Sequence, residues 1–310
     1  MKVAVLFAGQ GAQHPGMTDG IENYPHALQL FSEAQQLTAM PLLQLCKQGP
    51  AEELNQTILA QPALYTQGYA LYHELRTLLP QLLPSYCAGL SLGEFTAHAA
   101  AGSYTFSEGL RIVVERARAM QHACTLHQGG MISLLGATPQ QAAHISQELD
   151  IDIANYNCPG QIVLSGPVEK LAAIPDLAKA AGIKRTIPLN VSGAFHSRLM
   201  QPAADRLRNV LESTSWKKPL CPIVANVTAS PCDEPNLFAQ LLTQQVTNSV
   251  RWDDSIRFLR DAGIRVFLGI GPGEVLAGLN KRIDPTLRTI TLPDFTALEQ
   301  VAQELRKLFT

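Results

Sequence analysis

The chain opens on an unbroken apolar run, residues 3–8, that stops at Gly9. A short run of this kind marks a strand covered on both faces. Residues 26–37 and 62–79 read as helices. A second short strand is expected at residues 86–90, and a helix starting at about Leu92 runs through Glu94, Phe95 and residues 97–101. Residues 106–122 form another helix, because Leu110, Val113, Val114, Ala117 and Met120 recur at three- and four-residue spacing.

From about residue 126 to 189 the rhythm changes. Strands are expected at 131–135, 151–155, 161–165 and 184–189, with helices at 139–149 and 168–181. That order, βαββαβ, is the split-βαβ, ferredoxin-like pattern. It predicts a small domain, 126–189, inserted in a larger one made of 1–125 and 190–310. Beyond it come helices at 199–213, 237–245, 252–262 and 298–308, and strands at 223–226 and 266–270. Strands alternating with helices imply an α/β protein with a mainly parallel sheet covered on both faces.

Composition narrows the function classes. A length of 310 residues suits about two domains. Hydrophobic residues make up 46% and charged residues 16%, with a net charge of −2. Enough apolar surface is present to exclude a disordered chain, and the missing basic excess argues against a nucleic-acid binder. The uncharged stretch 54–72 contains Asn55, Gln56, Gln61, Pro62 and Gln67, too polar for a membrane span. The N-terminus lacks the longer apolar core of a signal peptide and reads as a first strand. Six cysteines are scattered with no CxxC pair. They suit reduced thiols in the cytoplasm, and neither a disulfide frame nor a zinc site is expected.

The sharpest chemical signal is Gly89-Leu90-Ser91-Leu92-Gly93, a GxSxG between an expected strand and an expected helix. A strand turning this abruptly into a helix needs glycines where side chains would clash. It exposes the serine at the apex, and the Leu92 amide can donate to a developing oxyanion. A serine nucleophile needs a base. Of eight histidines, His14 lies in a Gly/Pro loop, and His26, His73, His122, His127 and His144 read as surface residues. His98 sits two turns beyond Ser91 and points away. His196 lies in a loop of small residues after a strand, the kind of place where α/β sites are assembled.

Several motifs occur in order: Gly9-Gln10-Gly11-Ala12-Gln13, Gly89 to Glu94, Arg116 with Met120-Gln121, Gly193-Ala194-Phe195-His196-Ser197, and Gln245 before Asn248 and Trp252. Together they resemble the malonyl-CoA:acyl carrier protein transacylases and the acyltransferase domains of polyketide synthases, over essentially the whole chain. The resemblance implies an α/β-hydrolase-like large domain plus a ferredoxin-like small one. It assigns Ser91 as nucleophile, His196 as general base and acid, and the amides of Gln10 and Leu92 as oxyanion hole. Arg116 would grip the free carboxylate of a malonyl group as a bidentate pair. Gln61, Met120, Met131 and Asn157 match positions lining the acyl pocket, and Phe195 fits a malonyl preference by excluding an α-branch. Gln245 matches the residue whose main-chain carbonyl orients the histidine, which accounts for the lack of an evident acidic triad member. Asp205, Asp253 and Asp254 read as helix-surface residues. The implied partners are malonyl-CoA and an acyl carrier protein or carrier domain, with no metal or tightly held cofactor.

One departure is Leu90, where many relatives carry histidine. Leucine there resembles the free-standing acyltransferases that serve polyketide synthases lacking their own. The nearest rival is a thioesterase-like acyl hydrolase on the same scaffold, which has no use for Arg116. A catalytically silent docking subunit of a synthase complex is the other, against which the intact Ser91 and His196 argue.

Overall fold

The computed structural model of the chain describes residues 2–309. Among the described residues eleven strands fall in two sheets: β1 (Val3–Phe7), β2 (Tyr86–Gly89), β3 (Gly129–Leu135), β4 (Asp152–Cys158), β5 (Gln161–Pro167), β6 (Arg185–Pro188), β7 (Ile223–Ala225), β8 (Ser230–Cys232), β9 (Val250–Arg251), β10 (Val266–Ile270) and β11 (Arg288–Leu292).

The larger sheet has the order β11-β10-β1-β2-β7-β8. It is parallel except for the β7–β8 edge. Every residue of β1 and β10 is buried, as their continuous apolar runs require. The chain leaves β1 toward β2 on one side and later returns to β10 on the other. The loops after β1 and β10 therefore diverge and open a crevice at the carboxyl ends of the strands.

The smaller sheet has the order β6-β3-β5-β4-β9. Its first four strands pair antiparallel in the split-βαβ arrangement, and β9 adds a parallel edge from outside residues 126–189. One apolar cluster behind it draws its buried members from residues 132–183 only, Ile132, Leu164 and Ile174 among them.

Several elements depart from expectation. The helix expected at 62–79 spans Thr57–Leu78 and carries Pro62 inside it. Pro62 falls in the second turn, so the pattern N-terminal to it was masked by a residue that usually starts a helix. The helix expected at 168–181 is two, Val168–Leu171 and Ile174–Ala180. Pro175 explains the break, because its ring would collide with the carbonyl of residue 171. The span 199–213 begins as a short 3-10 turn, Arg198–Met200, before the helix Gln201–Glu212. Helices Leu42–Gln48, Ala51–Leu54 and Val275–Ile283 and strands β8, β9 and β11 were not anticipated. Most are short, and β11 begins on an exposed arginine.

Candidate active site

Three glycines allow the backbone to converge on Ser91. A Cβ on Gly89 would lie 1.9 Å from the Gly93 carbonyl carbon, one on Gly93 2.2 Å from the Phe7 oxygen, and one on Gly9 2.3 Å from the Leu90 oxygen. The ends of β1 and β2 and the start of helix Leu92–Ala100 thus touch main chain to main chain. Ser91 sits at the apex with φ 53° and ψ −103°, a conformation costing roughly 1–3 kcal/mol for a residue with a side chain. Asn226, just after β7, braces it. Its Oδ1 accepts from the Ser91 N–H at 2.8 Å, and its Nδ2 donates to the Gly89 carbonyl at 2.8 Å.

His196 also takes positive φ, 55°. Its Nε2 lies 2.7 Å from Ser91 Oγ and its Nδ1 2.8 Å from the Gln245 carbonyl oxygen. A carbonyl only accepts, so the proton of the neutral ring resides on Nδ1, and Nε2 is free to accept from the serine hydroxyl. Burial, and after it the Arg116 charge, push the imidazole down to about 4. At neutral pH the ring is therefore an uncharged acceptor.

Arg116 projects from helix Phe106–Leu126 and is 1% exposed. Its Nη1 donates to Gln61 Oε1 at 2.8 Å, and its Nη2 to Ser91 Oγ at 2.9 Å and Gln245 Oε1 at 3.0 Å. The guanidinium lies 5.0 Å from the Phe95 ring centroid, and its buried Nε–H has no partner among the described residues. Burial lowers Arg116 to about 10, opposed by Glu94, so it stays charged at neutral pH.

A cavity of about 470 Å³ opens above these groups between the two sheets. Ser91, His196, Arg116, Met120, Met131, Asn157, Phe195 and the Gln10 segment line it. Gln61 does not. It stands behind the wall, tying Arg116 to Gln10 Oε1 at 3.2 Å. The Leu92 side chain is fully buried. The Gln10 main-chain N–H meets no backbone acceptor among the described residues, and Leu92 is the first residue of its helix, where the N–H has no intrahelical acceptor; both can bind a negative oxygen. Leu90, the departure from the expected histidine, lies on the cavity rim beside Ser91.

Two polar residues carry more of the site than their sequence context indicates. Asn226 stands in the sequence only as the last residue of the strand expected at 223–226. Glu94 closes the motif Gly89 to Glu94, which by itself implies no task for it. It is fully buried, and its Oε2 accepts from Gln245 Nε2 at 2.7 Å and from the Asn226 N–H at 3.0 Å. The signal was present: Glu94 is the one carboxylate in Leu92–Ala101, a stretch in which Thr96 and His98 are the other polar side chains, so it is poorly placed for solvent.

Away from the cavity, His26, His73 and Glu74 bring three metal-ligating atoms within 4.8 Å of one another. The two rings stack, however, with centroids 4.2 Å apart and planes 28° apart. Their in-plane lone pairs then run nearly side by side rather than toward one point, and His26 Nδ1 instead faces Glu74 at 3.6 Å. Among the described residues no helix is long and apolar enough to cross a membrane.

A parallel sheet with a glycine-hemmed serine at a strand–helix turn, a neutral histidine on its hydroxyl and a buried arginine beside it defines the acyl transferase domain class. The chain matches the acyl transferase domain family over residues 5–289. It is 38% identical to the malonyl CoA-acyl carrier protein transacylase of Bacillus subtilis (strain 168), over 99% of this chain and 98% of the relative. It is 35% identical to the polyketide biosynthesis malonyl CoA-acyl carrier protein transacylase PksC of the same strain, over 91% and 96%. Among solved structures it resembles a malonyl-transacylase in complex with its type II polyketide acyl carrier protein, with TM-score 0.93, 36% identity and coverage of 98% and 100%. It also resembles the malonyl CoA-acyl carrier protein transacylase of Coxiella burnetii, with TM-score 0.94, 33% identity and coverage of 98% of each chain. The chain belongs to the malonyl CoA-acyl carrier protein transacylase family.

Proposed function

We propose that this protein is an acyl-carrier-protein S-malonyltransferase, moving malonyl from malonyl-CoA to the phosphopantetheine thiol of an acyl carrier protein through a malonyl-Ser91 ester. The observation that carries the reading is the Ser91 hydroxyl, within 2.7 Å of His196 Nε2 and 2.9 Å of Arg116 Nη2 on the wall of one cavity.

In the first half-reaction His196 Nε2 takes the Ser91 proton as Oγ attacks the thioester carbonyl. The free N–H groups of Gln10 and Leu92 receive the oxyanion. The imidazolium that forms keeps its Nδ1–H on the Gln245 carbonyl and returns the Nε2 proton to the departing thiolate of coenzyme A. The carrier thiol then repeats the sequence in reverse, losing its proton to Nε2 and restoring Ser91. Throughout, the malonyl carboxylate pairs with Arg116, whose buried and unpartnered Nε–H supports a ligand of that charge. Met120, Met131, Asn157 and Phe195 shape the acyl end of the cavity. The Phe195 ring limits room for an α-methyl branch.

Leu90 favours service to a polyketide synthase that lacks its own acyltransferase over general fatty acid synthesis. Free cysteines throughout suit action in the cytoplasm, where coenzyme A esters are available. Residues 126–189 form the smaller of two domains in this reading, supported by the separate apolar cluster behind β3–β6.

Intact-mass measurement after mixing with malonyl-CoA tests the assignment. A persistent malonyl adduct that an acyl carrier protein discharges is expected. Rapid release of free malonate would make the protein a hydrolase, and no adduct would make it a docking subunit.

A further inference from the structure

Arg116 is a fully buried cation, and none of its hydrogen bonds reaches a carboxylate. Its three acceptors, from Gln61, Gln245 and Ser91, are all neutral. A buried charge held only by neutral dipoles is costly unless a counter-charge stands near. Glu94 is that charge, one amide away. The Gln245 amide accepts from Arg116 on Oε1 and donates to Glu94 Oε2 from Nε2. Its orientation is dictated by its neighbours, since a guanidinium only donates and a carboxylate only accepts. The same residue holds His196 through its main-chain carbonyl.

Building on the malonyl-transfer reading above, we propose that Glu94 is the resting counter-ion of Arg116, relayed through Gln245, and that it takes one proton from solvent when the malonyl carboxylate pairs with Arg116. Two carboxylates around one guanidinium would leave a net negative charge in a water-poor site. Protonating Glu94 removes it. Both hydrogen bonds to Glu94 fall on Oε2, so Oε1 can accept the proton without breaking either.

The other ionisable groups around Glu94 leave it this part. Tyr104 is a phenol held well above its usual range by burial and then by Glu94. Cys232, from β8, is raised chiefly by burial. His98, one turn along the same helix, is locked to Ser103 and pushed down by burial to about 3. His196 is neutral above about 4. Glu94 itself is lifted to about 7 by burial, opposed by Gln245, Asn226 and Arg116, so a change of charge beside Arg116 moves it across neutrality.

The test is the half-saturating malonyl-CoA concentration for loading Ser91, measured across neutral pH in the wild type and in Glu94→Gln. Glutamine keeps a carbonyl to accept both hydrogen bonds and removes the charge. The wild-type value should rise about tenfold as Glu94 ionises, the size of a like-charge interaction across a guanidinium and an amide in a protein interior. The variant should lack that rise. Ionisations of coenzyme A are common to both and cancel in the ratio. Parallel pH profiles, or a uniform loss at every pH, would make Glu94 merely structural and overturn the proposal. A wild type that never loads malonyl would overturn the proposed function instead. The counter-ion role is then read without substrate, as it is if Glu94→Gln does not fold. Isotope-edited infrared spectra should show the protonated Glu94 carboxyl persisting to higher pH in Arg116→Met than in wild type, and an unchanged titration would exclude it.

Discussion

His196 and His98 are both buried, both depressed by burial, and both within hydrogen-bond reach of a serine. Of the two, His196 lines the cavity above Ser91 and His98 does not. His98 Nδ1 pairs with Ser103 Oγ at 3.0 Å, and its ring packs against Phe238 at 4.6 Å, Trp216 at 5.6 Å and Tyr104 at 6.1 Å. It is one plate of an aromatic box. His196 has a carbonyl on one nitrogen and a serine with an arginine donor on the other, facing some 470 Å³ of space. Burial and a lowered pKa therefore do not distinguish a base from a packed ring. What distinguishes them is which atom each ring nitrogen faces and whether a reactant can reach it.

The comparison breaks first at the serines. Ser91→Ala should abolish malonyl loading, read as the absence of added mass on the intact protein, with no loss of thermal stability. Ser103→Ala should leave loading intact and lower the melting temperature. An adduct surviving Ser91→Ala would move the nucleophile elsewhere.

Between the histidines themselves, His196→Ala should slow acylation by about 10²–10⁴-fold, the usual contribution of a positioned base. Rapid-mixing loading measures it, and a loss of tenfold or less would remove His196 from the mechanism.

Arg116 sharpens the contrast, because His98 has no such neighbour. A charge-assisted hydrogen bond contributes roughly 1.5–3 kcal/mol, so Arg116→Ala should cost about 10²-fold in malonyl loading. Acetyl loading should hold or rise, and Arg116→Lys should restore only part, lacking the planar fork. Competition between malonyl-CoA and acetyl-CoA decides. A proportional fall in both would make Arg116 structural.

The smallest effect on chemistry belongs to His98→Phe, which should load malonyl within a few-fold of wild type. Its effect lies in acid stability. The ring titrates at its ordinary 6.5 when unfolded and at about 3 when folded. The folded state thus binds fewer protons in that window, so its stability is full above 6.5 and falls as pH drops toward 3. His98→Phe should flatten that fall in melting temperature against pH. If the acid limb is unchanged, His98 is not its source.

Much of this was legible because short-range geometry is strict. Continuous apolar runs located β1, β2 and β10, and the glycines around Ser91 marked a turn that no side chain can enter. The motifs carrying the family resemblance named Ser91, His196 and Arg116 in advance, and the fold draws these three together. Pro62 in the second turn of one helix and Pro175 in the first turn of another are not resolved by local pattern, because proline signals a boundary locally while packing decides whether the helix continues. Strand β9, two residues long, was invisible to pattern altogether.

Read along the chain, the alternation of strands and helices and the glycine-hemmed turn at Ser91 follow from sterics and periodicity over a few residues, whereas Arg116 stood out only through the motifs of the family resemblance. That Gln245, 154 positions from Ser91, holds His196 with its main chain and bridges Arg116 to Glu94 with its side chain emerges only from the packing of distant elements. The physical reason is that burial turns polar residues into a network. Their partners are set by which elements the hydrophobic core presses together, and no local pattern along the chain encodes which amide will face which charge.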